Sequence, residues 1–237
     1  MTYVGTATRV CTFGVVVAAS VLLSGCVSTV SGTALRAQHA APIDVPSLTE
    51  AKLDDLLLSV GELNGIMGSA KMKVTSELQE MTDHSEEVSD SDCLGAIYGA
   101  EAPVYDGSGW AAMRDQVVRE PGADNDHWVE QTAVLFPSAE KAKKFFDDSK
   151  SSWQKCSGSS VSVHDGAAAY LWQIDNLTSE DTLITQMTAQ EDANGWACQH
   201  ALSVVSNVSV EAWGCGYSVK DEAATIANEM VANAAKK

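Results

Sequence analysis

The stretch WACQHALSVVSNVSVEAWGCGY, Trp196 to Tyr217, decides how the rest of the chain is read. Apolar and polar residues alternate on both sides of Ser206-Asn207, and valine dominates, which is the period-2 pattern of paired strands. Asn207 suits the turn, because asparagine tolerates positive φ and hydrogen-bonds its own backbone. A two-residue turn at 206–207 fixes the register. Val205 then faces Val208, His200 faces Trp213, and Cys198 faces Cys215. Counting outward from a hydrogen-bonded Val205–Val208 pair makes Cys198–Cys215 a non-hydrogen-bonded pair, with Cα atoms about 4.5 Å apart. A disulfide spans that distance. The alternative is two free core cysteines.

The start of the chain sets the redox compartment. Arg9 precedes an apolar run from Val10 to Leu23, too short for a comfortable transmembrane helix, and the run ends in Leu23-Ser24-Gly25-Cys26. Charge, apolar run and small residues before a cysteine are the order of a bacterial lipoprotein signal peptide. Residues 1–25 are expected to be removed and Cys26 to carry the lipid. Two or more acyl chains anchor stably where one does not. The expected location is the extracytoplasmic face of the cell membrane; the alternative is an ordinary secretory peptide with a chance cysteine.

This leaves four of the six cysteines. Cys11 departs with the leader and Cys26 is lipidated. An even number of thiols outside the cytoplasm reads as disulfides, and with Cys198–Cys215 selected by register, Cys93 pairs with Cys156. Loop entropy assigns about 3 kcal/mol to the short bridge and about 4 kcal/mol to the long one. A zinc site competes for the same residues, but no CxxC or HxxxH accompanies them.

The formal net charge is −17, and loss of Arg9 makes the chain one unit more acidic. Such a surface argues against nucleic acid and against contact with anionic headgroups. Residues 26–46 are rich in Ser, Thr, Ala and Pro without periodicity, and read as a flexible tether. Residues 47–237 form one domain.

Within that domain Ser47 with Glu50 and Ser59 with Glu62 are capping boxes opening two short helices, the second stopped at Gly68. Leu78 to Asp92 reads as an acidic surface loop, and Cys93 to Tyr98 as a helical turn. Strands are expected at 72–75, 116–119, 128–136, 170–174 and 183–189. A helix from Ser138 to Trp153 delivers Cys156 past its end, with Phe145, Phe146 and Trp153 on one side. A last helix opens at Ser218 with Asp221 in the capping-box position. The fold class is α+β: an antiparallel sheet with helices on one face and two disulfides.

No GxSxG, HExxH, Walker, GxGxxG or EF-hand pattern occurs, so no catalytic residue, metal or cofactor is assigned. His127 beside Asp124 and Asp126 suggests a weak metal contact, against an exposed turn. His200 is expected to pack beside the hairpin disulfide. Among the six tryptophans, Trp110 and Trp128 flank glycine-rich loops and are the candidate cleft residues. Arg114 and Arg119 are scarce cations in an acidic chain. Either suits an anionic ligand or a surface ion pair, and Arg114 joins the candidate site.

The chain resembles the mycobacterial lipoproteins that share the extracellular sensor domain of the serine/threonine kinase PknH. The residues that carry the resemblance are Asp92-Cys93 before Tyr98, Trp110 with Gln116, and Phe136-Pro137-Ser138-Ala139. Trp153, Cys156, Trp196-Ala197-Cys198, Asn207-Val208 and Cys215 complete it. It covers roughly residues 45–235 and rests on order and spacing. The resemblance implies an antiparallel sheet with helices, two disulfides, an extracellular ligand cleft and no catalytic residues. The expected function is non-enzymatic binding of an envelope component, such as a glycolipid or peptidoglycan fragment. The alternative is a module that docks on an envelope protein or a receptor ectodomain.

Overall fold

Among residues 45–122 and 125–236, which the computed structural model describes, nine strands form one antiparallel sheet. They are β1 (Lys73–Leu78), β2 (Ala112–Arg119), β3 (His127–Leu135), β4 (Ser160–Asp165), β5 (Ala168–Ile174), β6 (Thr178–Ser179), β7 (Leu183–Gln190), β8 (Ala197–Val205) and β9 (Val208–Gly216). The order is β1-β2-β3-β9-β8-β7-β5-β4, with β6 paired to β7. Two meanders therefore meet where β9 returns beside β3. The leader, Cys26 and nearly all of the tether lie outside the described residues.

The hairpin takes the expected register, with Val205 opposite Val208 and His200 opposite Trp213. Cys198 and Cys215 are bonded, their Cα atoms 4.0 Å apart. The turn differs in one respect. Ser206, not Asn207, holds the positive φ, at 51°. The Asn207 amide is used for tertiary ties instead. Its Nδ2 donates to Leu48 O at 3.1 Å and Phe136 O at 3.0 Å, and its Oδ1 accepts from Leu48 N–H at 2.7 Å. Three segments distant in sequence are joined by one buried side chain. Asn207→Ala is expected to cost about 2 kcal/mol in a denaturant titration, since it leaves three backbone groups without partners.

The helices α1 (Val60–Met67), α2 (Leu94–Ile97), α3 (Ala102–Tyr105), α4 (Ala139–Cys156) and α5 (Glu222–Asn233) pack against the sheet. The α+β class and both disulfides are as expected, but the helices are divided between the two faces. On one face Val129, Ala201, Val210 and Ala212 meet Leu63 of α1 and Ile226 and Met230 of α5. On the other, Val134, Ile184 and Leu202 meet Leu94, Phe146 and Trp153 of α2 and α4. The reason lies in β8 and β9. Polar positions in these central strands, among them Gln199, Ser203, Ser209 and Glu211, are buried as deeply as the valines. Each face of the pair therefore requires a cover.

The caps show which local signals prevailed. The Ser59–Glu62 capping box forms, and Gly68 closes α1 with φ 72°. Ser138 caps α4. The Ser47–Glu50 box does not form. Residues Glu50–Lys52 and Asp54–Leu56 make 3-10 turns, pinned by the buried Leu53 and Leu56. The Ser218–Asp221 box is also absent, and α5 begins at Glu222 with no cap bond from the Asp221 side chain. Gln199 of β8 takes that role, its Oε1 accepting from Ala224 N–H at 3.0 Å. The second disulfide, Cys93–Cys156, ties the 3-10 turn Ser91–Cys93 to the end of α4 across a Cα distance of 5.7 Å.

Candidate functional site

Period-2 alternation places every second residue of neighbouring strands on one face of the sheet. Through the register, Trp128 of β3 faces Cys215, Glu130 faces Trp213, and Thr188 of β7 faces Cys198. With Trp172 of β5 and Trp196 ahead of β8, these residues line a cleft of about 270 Å³. Ile97 of α2, Tyr98, Asn125 and Val163 of β4 complete it. The segment before α2 reaches β4 through a bridge between Val88 and Val163. The hairpin disulfide thus forms part of the wall of an aromatic cleft.

The cleft continues into a buried row of polar side chains. Glu211 of β9 accepts from His200 Nε2 at 2.7 Å, from Tyr105 Oη at 3.3 Å and from Ala100 N–H at 3.3 Å. The His200 ring is held between Trp153 and Trp213, each with its centroid 3.9 Å away. Asp115 of β2 accepts from Thr132 Oγ1 at 2.7 Å. Glu101, buried ahead of α3, accepts from Thr82 Oγ1, from His84 N–H, and bonds His84 Nδ1 at 2.5 Å. His84 in turn stacks on Tyr98 of the cleft wall, centroids 4.6 Å apart. Gly99 sits in a close approach: a Cβ there would lie 3.3 Å from both Glu130 Oε1 and Trp213 Nε1, tight enough that these side chains would have to give way.

The electrostatics follow from this crowding of acids. Burial, and then the neighbouring Asp115, hold the Glu130 carboxyl well above the usual carboxylate range. Burial raises Asp115 as well, against the opposing pull of the Thr132 hydroxyl. Burial depresses His200 below an ordinary imidazole, so it is neutral and donates from Nε2 to Glu211. The signs for stability are opposite. A carboxyl raised on folding contributes stability that is full below its unfolded pKa and is lost as pH rises through its folded pKa. A depressed histidine contributes stability present above its unfolded pKa and lost as pH falls through its folded pKa. Glu130→Gln removes only the first contribution. Its melting temperature relative to the natural protein is expected to climb as pH rises above the usual carboxylate range. A constant difference would mean that Glu130 is ionised throughout.

Of the residues expected at the site, Trp128 lines the cleft. Trp110 is half-buried against the opposite end of the α4 core. Arg114 projects from the other face and pairs with Asp54 at 3.2 Å and Glu50 at 3.3 Å, so it serves as an ion pair. His127 bonds Glu120 at 2.7 Å. Among the described residues no cluster of three His, Cys, Asp or Glu side chains could hold a metal ion. Sequence reasoning passed over Tyr98, Glu130, Trp172, Trp196 and Trp213. A signal for two of them was present: Trp196 and Trp213 each stand two residues before a cysteine of the hairpin bridge, hence on its face.

A second, more polar hollow of about 450 Å³ lies between α2, α3 and α4, lined by Asp92, Asp106, Lys141, Lys144 and Asp148 among others. Its charges are mixed and solvent-facing, and it contains none of the tryptophans.

Residues 48–233 match the family of PknH-like extracellular domains. The chain is 37% identical over 196 residues to the serine/threonine-protein kinase PknH of Mycobacterium bovis, covering 82% of this chain and 33% of the kinase. To PknH of Mycobacterium tuberculosis (strain H37Rv) it is 38% identical over 191 residues, 80% of this chain and 30% of the kinase. It thus spans about a third of the length of these relatives. The crystal structure of the extracellular domain of PknH from Mycobacterium tuberculosis superposes with a TM-score of 0.78 at 36% identity, covering 82% of this chain and all of that one.

Proposed function

Because the chain belongs to the family of PknH-like extracellular domains, we propose that it is a lipid-anchored, non-enzymatic binding protein of the cell envelope. The aromatic cleft is its ligand site. The matched part of the kinase is its extracellular domain, which makes this chain sensor-like and extracytoplasmic. Anchoring at Cys26 would hold it at the outer face of the cell membrane on a short tether. The observation that carries the reading is the convergence of Trp128, Trp172, Trp196 and Trp213 on one open cavity. Large aromatic side chains leave solvent when a fold allows it; four on one opening supply binding surface for an apolar or ring-bearing envelope component.

Thermal stabilisation by envelope extract tests this. The natural protein should gain melting temperature, and Trp172→Ala, a half-buried cleft residue, should gain much less. An equal gain in both, or none in folded protein, overturns the reading.

One observation favours the second reading, a protein-docking module. Val74 and Leu78 stand exposed on the edge strand β1, each 38% accessible, where a partner strand could add. Recovery of one stoichiometric partner by membrane crosslinking, lost in Val74→Lys, would select it.

A further inference from the structure

We propose that the cleft takes an organic cation, a quaternary or alkylated ammonium group seated among the tryptophan rings with Glu130 as its counter-charge. This deepens the reading of the cleft as the ligand site and rests on it.

Tyr98, Trp128, Trp172, Trp196 and Trp213 present five aromatic rings to one opening. The face of an aromatic ring carries negative charge density and attracts a cation, most strongly where water is excluded. No lysine or arginine lines the cleft, so nothing in it favours an anion. Besides Glu130 and the indoles, its hydrogen-bonding side chains are Asn125, Thr188 and Tyr98, and the Tyr98 hydroxyl is already engaged with Glu87 at 3.1 Å. A sugar would need several fixed polar partners on its hydroxyls. Rings around one acid match a charge on an apolar body instead.

Two further features point the same way. The acids about Glu130 come from every element packed on it: Asp115 of β2, Glu211 of β9 and Glu101 ahead of α3. Tyr98 and Tyr105 flank the same acids, and His200 is bonded to Glu211. No positive side chain among them offsets the charge. The second feature is the indole of Trp213, which is 4% exposed and whose Nε1 has no hydrogen-bond partner among the described residues. Nε1 and Glu130 Oε1 both lie 3.3 Å from the place a Gly99 Cβ would take. An indole N–H stabilises an ionised carboxylate beside it. Entry of a cation favours the carboxylate of Glu130 over the neutral acid that burial favours, and that ionisation releases one proton to solvent.

The test uses full-length protein in a non-ionic maltoside detergent, followed by tryptophan fluorescence and melting temperature. The probes are choline, its uncharged tert-butyl isostere dimethylbutanol, and envelope extract. Choline is expected to quench and stabilise, at least about tenfold more tightly than the isostere. Its affinity should rise by up to about tenfold per pH unit on the acid side of the Glu130 transition. Glu130→Gln should lose both the preference and the pH dependence while Trp172→Ala weakens both probes. If the isostere binds as well as choline, the cation assignment is overturned. If choline leaves folded protein unchanged while extract stabilises it, the cation assignment fails and the ligand site stands. If neither acts, both fail.

Discussion

Glu211→Ala is expected to destabilise the domain by about 3–5 kcal/mol, the largest effect of any single substitution outside the hydrophobic cores. Glu211 is 6% exposed and serves three donors at once, the His200 ring, the Tyr105 hydroxyl and the Ala100 amide. Removing it leaves all three in a dry interior, each at a cost of about 1–3 kcal/mol. Domains of this kind are stable by about 5–15 kcal/mol in total, so the variant should sit near its folding limit. Glu211→Gln retains an acceptor for His200 and should lose less than half as much. Urea unfolding of the three proteins decides the matter. A cost below about 1 kcal/mol for the alanine variant would show that water replaces the carboxylate freely. The same substitution should loosen the cleft, because His200 is the plate on which Trp213 rests, their rings 18° from parallel.

Replacing Cys93 and Cys156 together by serine should cost about 4 kcal/mol, against about 3 kcal/mol for Cys198 and Cys215. The difference follows from the lengths of chain enclosed, 63 and 17 residues. At about 2–4 °C per kcal/mol for a domain of this size, the first variant should melt about 8–16 °C lower. The functional consequences should run the other way. Cys93–Cys156 clamps α2 to the end of α4 and lies outside the aromatic cleft. Both cysteines of the hairpin bridge line the cleft. Ligand stabilisation should survive loss of the long bridge and fall with loss of the short one. Equal retention in both variants would separate the hairpin bridge from binding.

How far the residues alone disclosed this arrangement varies from segment to segment. The hairpin was legible because its alternation is long, its turn is unambiguous and its cysteines test the register independently. The same alternation misled on layers. Ser203 and Glu211, polar positions on opposite faces of the hairpin, are both buried and hydrogen-bonded within the protein. A polar residue in a strand reports a need for partners, and protein groups meet that need as well as water. Strand β4 escaped notice because it is a short edge strand with only Val161 and Val163 apolar, following a glycine-serine break. The capping signals at Ser47 and Ser218 were overridden by tertiary contacts, the buried Leu53 and Leu56 in one case and Gln199 in the other. Trp172 reaches the cleft through β5–β7 pairing, a non-consecutive contact that no local pattern encodes.

Hydroxyl-radical footprinting of full-length protein with and without envelope extract, read at the six tryptophans, tests directly where the ligand lies. Trp128, Trp172 and Trp196 are partly exposed and line the cleft, so they should lose reactivity when extract is added. Trp110, half-buried outside the cleft, should keep its reactivity. Protection of Trp110 with the three cleft residues unchanged would contradict the assignment.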